Sequence, residues 1–142
     1  MNMDTSYVFV YGTLMHDMVN FGLIAPYVEE ISNGEINGEL YHLIEGFPAL
    51  VTNETSGIIK GELMKINHIP VAIKALDKLE GFHKSGHPKN LYERVTCQVK
   101  TIQGEFIEAF VYIWARPEIL PNIGIKVDCG DWRQFLDDLG WK

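Results

Sequence analysis

Alternation of apolar and polar residues predicts that most of this chain forms β-strands. Along 92–100, apolar residues fall on one face of an extended chain and mostly polar residues on the other. The run 106–114 carries apolar residues on both faces, which is typical of a strand buried on both sides. Gln103-Gly104 between these runs predicts a hairpin turn. Further strands are predicted at 7–11, 34–44 and 58–66.

Helical spacing of apolar residues predicts the longest helix over 69–80. Its apolar residues recur every three or four positions, so they share one face that can be buried. Pro70 lies in the first turn, where a proline fits the helix. Gly81 follows the last turn, where a left-handed glycine commonly ends a helix.

Two shorter helices are predicted, at about 16–21 and at about 131–139. Asp131 carries the kind of side chain that caps a helix N-terminus, so it is the expected N-cap of the second. Pro117 and Pro121 are expected to end regular structure in the segment before that helix.

The many strands joined by short turns predict a closed or nearly closed β-barrel. Several of the strands contain a glycine, such as Gly38 and Gly61, which would allow the strand to bend. Composition alone supports only an α+β protein. The 142 residues are expected to form a single domain, 1–142, because this length suits one hydrophobic core.

The net charge of the chain argues against some classes of binding partner. The net charge is −7 and the Lys and Arg residues form no cluster, so nucleic acid and anionic membrane surfaces are poor partners. No apolar run is long enough to span a bilayer, and 1–4 lack the features of a signal peptide. A cytoplasmic protein is therefore expected, with Cys97 and Cys129 as free thiols. His83 and His87 are interpreted as solvated loop residues, not as metal ligands.

The segment 8–14 is the first candidate for chemistry. It is apolar and β-prone up to Tyr11, and it then meets Gly12 and Thr13. A turn at a glycine can leave several backbone N–H groups aimed at one point, where a carboxylate can bind without Lys or Arg. On this segment alone, an ordinary strand end remains an open alternative.

Glu80 is the second candidate. It lies at the C-terminal end of the predicted helix, where the helix dipole disfavours a carboxylate. Asp77, one turn earlier, is also negative. Both effects, together with any burial, are expected to raise the pKa of Glu80 toward the range that suits a general base. The open alternative is a solvated side chain at a fraying helix end.

Taken together, these segments make the sequence similar to the gamma-glutamylcyclotransferase-like family, also called AIG2-like. The two main motifs are Tyr11-Gly12-Thr13-Leu14 and Leu76-Asp77-Lys78-Leu79-Glu80-Gly81. Shorter agreements lie at Gly38-Glu39-Leu40-Tyr41, Gly46-Phe47-Pro48-Ala49-Leu50, Tyr92-Glu93-Arg94-Val95 and Gly130-Asp131-Trp132. The resemblance implies a small mixed β-barrel flanked by helices, with a pocket at one mouth of the barrel.

The resemblance also implies a reaction on a small-molecule γ-glutamyl substrate, with no metal or organic cofactor. The substrate α-amine attacks its own γ-carbonyl, which closes 5-oxoproline and releases an amine or amino acid. Glu80 would be the general acid and base. The implied substrate-binding residues are Tyr11, Gly12, Thr13, Leu14 and Tyr92, with the backbone amides of 12–14 on the α-carboxylate. For each tyrosine, which would line the pocket or orient Glu80, core packing stays equally open.

Three functions remain open from the sequence. The first is a cyclotransferase acting on γ-glutamyl amino acids or γ-glutamylamines. The second is removal of a γ-glutamyl protecting group from a biosynthetic intermediate. The third is a non-catalytic small-molecule binding module, against which Glu80 argues, because binding a carboxylate requires no second carboxylate nearby.

Selectivity for the released group is expected in the polar loop 81–91 and in the C-terminal tail. The loop is long enough to cover a site as a flap. Arg94 shares a strand face with Tyr92, and a structural ion pair with a carboxylate is its expected role.

Overall fold

A computed structural model describes residues 5–53 and 57–140. Its strands are β1 (Tyr7–Val10), β2 (Val28–Leu43), β3 (Pro48–Thr52), β4 (Ile58–Ile66), β5 (Tyr92–Thr101), β6 (Phe106–Trp114) and β7 (Gly124–Lys126). Its α-helices are α1 (Phe21–Ile24), α2 (Ile69–Glu80), α3 (Leu120–Ile123) and α4 (Trp132–Asp138). Short 3₁₀ turns occupy Ala25–Tyr27 and Pro117–Ile119.

Five of the strands close into a barrel, in the order β2-β4-β1-β6-β5, and β5 pairs back onto β2. The closing contact pairs Gly34 with Thr101 and Glu35 with Lys100. The neighbours are antiparallel except β1 and β6, which run parallel. Strands β3 and β7 pair with the C-terminal half of β2, outside the closed ring. The predicted mixed β-barrel flanked by helices is therefore confirmed.

Closure depends on close approach at two paired glycines, Gly34 of β2 and Gly61 of β4. A Cβ on Gly61 would lie 2.4 Å from the Val10 carbonyl oxygen and 2.7 Å from the Phe9 ring. A Cβ on Gly34 would lie 2.6 Å from the side chain of Val99. Only glycine lets these strands pass so close to the barrel interior.

The long helix α2 agrees with its prediction at both ends. Its buried residues are those of the predicted face, namely Ile69, Ala72, Ile73 and Leu76. Gly81 ends the helix with φ of 64°, in the left-handed region. The C-terminal helix α4 is likewise confirmed, because the Asp131 carboxylate accepts a hydrogen bond from the Gln134 amide at 3.1 Å.

The helix predicted at 16–21 is wrong. Residues 12–20 form turns, and α1 begins only at Phe21. Hydrogen bonds within the segment and to the distant Glu62 hold it and override its apolar spacing. Asn20 donates its backbone N–H to the Thr13 carbonyl at 2.8 Å, and the His16 amide donates to Glu62 at 2.7 Å.

The prediction that Pro117 and Pro121 end regular structure is also wrong. Pro117 and Pro121 lie in the first turns of short helical segments, where proline is accommodated, and they do not end regular structure there. Pro48 begins β3, a strand that the sequence did not reveal, because proline suits the first residue of a strand.

Neither Cys97 nor Cys129 forms a disulfide, as expected. Among the helices of residues 5–53 and 57–140, none has the length and apolar content that crossing a membrane requires.

Candidate active site

A cavity of about 410 Å³ lies where β1 ends, beside the C-terminus of α2. This volume falls within the range of about 300–1,000 Å³ that is usual for small-molecule sites. The walls include every residue that the sequence singled out as catalytic or substrate-binding: Tyr11, Gly12, Thr13, Leu14, Glu80 and Tyr92. The fold thus brings together two segments that are more than 60 positions apart in the chain.

The turn after β1 presents its backbone to this cavity. Within the described residues, no group accepts a hydrogen bond from the amides of Gly12, Thr13 or Leu14. A Cβ on Gly12 would lie 2.4 Å from Cγ of Pro48, so a larger residue would push apart two walls of the cavity. Free amides in a tight turn have the geometry that favours an anion.

Asn20 holds this turn from one side. Its backbone N–H donates to the Thr13 carbonyl at 2.8 Å, and its side-chain Nδ2 donates to Thr13 Oγ1 at 2.9 Å. Because the Thr13 carbonyl and hydroxyl are both engaged, the turn is fixed from within the segment 12–20.

The buried Glu62 also holds the turn, through a partly exposed network of charged side chains that the sequence did not reveal. Its side chain is 3% exposed, and its Oε1 accepts the His16 amide at 2.7 Å. Its Oε2 contacts the His16 ring and lies 3.4 Å from Arg133 Nη2. Arg133 also binds Asp17 through two hydrogen bonds of 2.5 and 2.8 Å. The buried carboxylate is thereby compensated, as burial of a charge requires.

Glu80 projects its carboxyl group into the cavity. Burial raises its pKa from 4.5 to about 7. Among the described residues that line the cavity it is the only one with a charged side chain, and its carboxyl group makes no hydrogen bond to the described part of the protein. The expected direction of the pKa shift is therefore correct, and burial, one of its three expected causes, produces it.

The charge of Asp77, one turn before Glu80, is matched by a neighbouring cation. Asp77 Oδ2 accepts a hydrogen bond from Arg94, whose side chain is only 3% exposed. Asp77 Oδ1 accepts the Tyr112 hydroxyl at 2.7 Å. The guanidinium also lies 5.0 Å from the Phe82 ring centroid. The structural ion pair expected for Arg94 is confirmed.

The two tyrosines line the cavity, but their hydroxyls do not orient Glu80. The Tyr11 hydroxyl donates to the Tyr112 carbonyl at 2.5 Å, and the Tyr92 hydroxyl donates to the Pro48 carbonyl at 2.6 Å. Burial raises the pKa of both hydroxyls, and the nearby charge of Glu80 raises them further. Both tyrosines therefore form a buried part of the cavity wall.

The loop 81–91 contributes only Leu91 to the described cavity wall, and no described residue after Tyr112 lines it. The buried side chain of Asn90 fastens the loop, since it accepts the His83 amide at 2.7 Å and donates to the Lys84 carbonyl at 2.7 Å. Within the described residues, Leu91 is therefore the one position of this loop and of the C-terminal tail that lines the cavity.

The raised pKa of Glu80 predicts a gain in stability for Glu80→Gln at alkaline pH. Between pH 4.5 and about 7 the folded protein keeps the Glu80 proton while the unfolded chain has lost it. The free energy of unfolding of the wild type therefore falls as pH rises through this window. At about 1.36 kcal/mol per pH unit, the variant should be more stable by roughly 3 kcal/mol at pH 8 than the wild type.

Urea unfolding of both proteins at pH 4.5 and pH 8 measures this difference. The gain should be present at pH 8 and nearly absent at pH 4.5. Equal stabilities at pH 8 would mean that water hydrates the ionised carboxyl group fully, contrary to its burial.

Known sequences that are similar to this chain share one family description. The profile of the family "Gamma-glutamyl cyclotransferase, AIG2-like" matches residues 8–134. A gamma-L-glutamyl-butirosin B gamma-glutamyl cyclotransferase from Niallia circulans is 26% identical over 128 residues, 90% of this chain and 76% of that protein. A candidate gamma-glutamylcyclotransferase from Methanocaldococcus jannaschii is 30% identical over 132 residues, 91% of this chain and 97% of that protein.

Solved structures share the fold. YkqA from Bacillus subtilis superposes with a TM-score of 0.68 at 26% identity, over 92% of this chain and 40% of that one. The present chain therefore spans about two fifths of the length of YkqA. An AIG2-like protein from Mus musculus superposes with a TM-score of 0.63 at 21% identity, over 78% of this chain and 77% of that one.

Proposed function

The chain belongs to the gamma-glutamyl cyclotransferase, AIG2-like family, and on that premise we propose that it cyclises a γ-glutamyl group to 5-oxoproline and releases the attached amine. Membership in this family supports gamma-glutamyl cyclotransferase-type activity. The observation that carries the finer proposal is Glu80, a largely buried carboxyl group that lines the cavity and has a pKa of about 7, together with three unengaged backbone amides in the same cavity.

The substrate has complementary charges at the same end. Its α-carboxylate would bind the amides of Gly12, Thr13 and Leu14, where no Lys or Arg lines the described wall. Its α-ammonium group, on the neighbouring carbon, would lie beside Glu80. With both groups held, the glutamyl chain is folded so that the amine lies near its own γ-carbonyl carbon, which removes much of the entropic barrier to ring closure.

Glu80 carries the protons in this proposal. The carboxylate takes one proton from the ammonium group, and the free amine then attacks the γ-carbonyl carbon. As the new carbon–nitrogen bond forms, the attacking nitrogen loses a second proton. The bond to the leaving nitrogen breaks as that nitrogen takes up protons through Glu80. The two protons lost by the α-nitrogen leave on the released ammonium, and no water is consumed.

A second candidate is removal of a γ-glutamyl protecting group from a biosynthetic intermediate. It is favoured by one relative, whose name describes action on gamma-L-glutamyl-butirosin B. This candidate uses the same chemistry on the glutamyl group and differs only in the released amine. Both candidates therefore predict the same role for Glu80, and only the identity of the released amine distinguishes them.

Release of 5-oxoproline tests the proposed function directly. The purified protein is incubated with a panel of γ-glutamyl amino acids and γ-glutamylamines, and 5-oxoproline is measured by chromatography. Formation of 5-oxoproline together with an equimolar amount of free amine supports the proposal. Formation of glutamate in its place would mean hydrolysis and would overturn it.

The pH dependence of kcat/KM provides a second test. Glu80 acts as a base only when ionised, and its pKa is about 7. We therefore expect kcat/KM to rise with pH and to level off above about 7, with roughly a tenfold loss per pH unit on the acid side. Steady-state rates between pH 5 and 9 measure this profile. A rate that falls as pH rises through 7 would exclude an ionised Glu80 as the base.

A further inference from the structure

The outer part of the cavity is apolar and faces solvent. Val19, Leu79 and Leu91 all line it, with exposed fractions of 85%, 40% and 50%. By contrast, the deeper walls consist of buried residues such as Tyr11 and Tyr92, which are 7% and 5% exposed. Large apolar side chains grouped around the mouth of a cavity are typical of a binding surface.

The distribution of charge also distinguishes the deep part of the cavity from its mouth. Glu80 is the cavity's only charged side chain among the described lining residues, and it lies close enough to the buried Tyr11 and Tyr92 for its charge to raise the pKa of both. Glu45 is exposed to solvent and outside the lining, although its charge raises the pKa of Tyr92. A second charge on a bound molecule would therefore find no second charged side chain in the described wall to pair with, and the large exposed side chains beside it at the mouth would be apolar.

The cavity is larger than a glutamyl group needs. At about 30 Å³ for each water-sized group, 410 Å³ accommodates roughly fourteen such groups, whereas a glutamyl group has about nine non-hydrogen atoms. The remaining space lies on the side of Val19, Leu79 and Leu91 if the glutamyl group occupies the amides and Glu80. A leaving group of at least a few carbons fits there.

From this division we propose that the released amine is uncharged along its chain and apolar, and that Val19, Leu79 and Leu91 select it. The inference rests on the proposed function and names its substrate class. It distinguishes this chain from enzymes whose leaving group is an amino acid or a polycationic sugar, because either would carry extra charge into the apolar mouth.

Three γ-glutamyl amides of equal chain length test the inference. The n-butylamide is neutral at its end, the 4-aminobutylamide is cationic and the 3-carboxypropylamide is anionic. We expect kcat/KM for the butylamide to exceed both others by at least about tenfold, the size of effect that an apolar pocket produces. The differences should appear mainly in KM, because the glutamyl chemistry is the same in all three.

Leu91→Asp provides the matched variant, since Leu91 is half exposed and the change should fold. It should lower kcat/KM for the butylamide and raise it for the 4-aminobutylamide. Ile102→Asp is the control. Ile102 is 74% exposed and lies outside the cavity wall, so this variant should keep the wild-type preference.

The outcomes separate the two proposals. Equal kcat/KM for the three amides, or a preference for a charged one, overturns the apolar leaving group and leaves the cyclisation intact. Turnover of γ-glutamylglycine without turnover of the butylamide does the same. Absence of 5-oxoproline from every γ-glutamyl compound overturns the proposed function and, with it, this inference.

Discussion

Glu80→Gln is expected to lower kcat by about 10²- to 10⁴-fold, the usual contribution of a positioned acid or base. The amide has nearly the shape of the carboxyl group but cannot take a proton from the substrate ammonium. Substrate affinity should change far less than kcat, because the α-carboxylate would still meet the amides of 12–14. The rate of 5-oxoproline release and the calorimetric Kd for the same substrate measure the two effects separately.

Two controls make this result specific to Glu80. Glu45→Gln removes an exposed carboxylate next to Gly46 at the cavity edge and should retain near-normal turnover. The Glu80→Gln protein should also show the gain in stability expected at pH 8, which would prove that it is folded. If a folded Glu80→Gln protein kept more than about a tenth of the wild-type kcat, Glu80 would not be the acid and base.

The main parts of the cavity could be predicted from the sequence because a short local pattern of residues indicates each of them. A buried strand that stops at Gly12 and a helix that stops at Gly81 each specify a backbone ending within a few residues. Glu80 follows from the second signal, since it is the last residue of the helix. The resemblance to one family then indicated that the two endings belong to one site.

The partners in the ion pairs and hydrogen bonds that support the site could not be found in this way, although an ion pair was expected for Arg94. Glu62 and His16 lie 46 positions apart, and Arg94 and Asp77 lie 17 apart. No local periodicity relates such residues, because the register between distant strands and helices decides which charges meet. The turns at 12–20 illustrate the same limit, since their apolar spacing predicts a helix while Glu62 and Asn20 hold another conformation.

The cause of the Glu80 pKa shift also required the structure. Asp77 lies one turn before Glu80 on α2, so the sequence favours a repulsive effect between two carboxylates. In the structure Arg94 forms an ion pair with Asp77, and its positive charge offsets the repulsion between Asp77 and Glu80. Burial in the cavity then remains as the cause. The ion pair thus separates the acidic residue that holds the fold from the one proposed to move protons.

Asp77→Ala should therefore be strongly destabilising, by about 3 kcal/mol in the free energy of unfolding. Removing one partner of a buried ion pair takes away the counter-charge of the other, which commonly costs about 3–5 kcal/mol. Arg94 is the buried partner, with 3% of its side chain exposed, and the Tyr112 hydroxyl would lose its acceptor as well. The lower end of the range applies because the Asp77 side chain is 22% exposed, so water can reach the vacated position.

Urea unfolding at pH 7 measures this loss, and Glu29→Ala is the matched control. Glu29 lies 4.0 Å from Lys65 in an ion pair whose side chains are 44% and 41% exposed, so its removal should cost less than about 0.5 kcal/mol. Asp77→Asn should fall between the two, because it keeps an acceptor for Tyr112 and loses only the charge. If Asp77→Ala costs no more than Glu29→Ala, the Arg94 guanidinium is hydrated in the folded protein. In that case the ion pair between Arg94 and Asp77 would not account for burial being the cause of the raised pKa of Glu80.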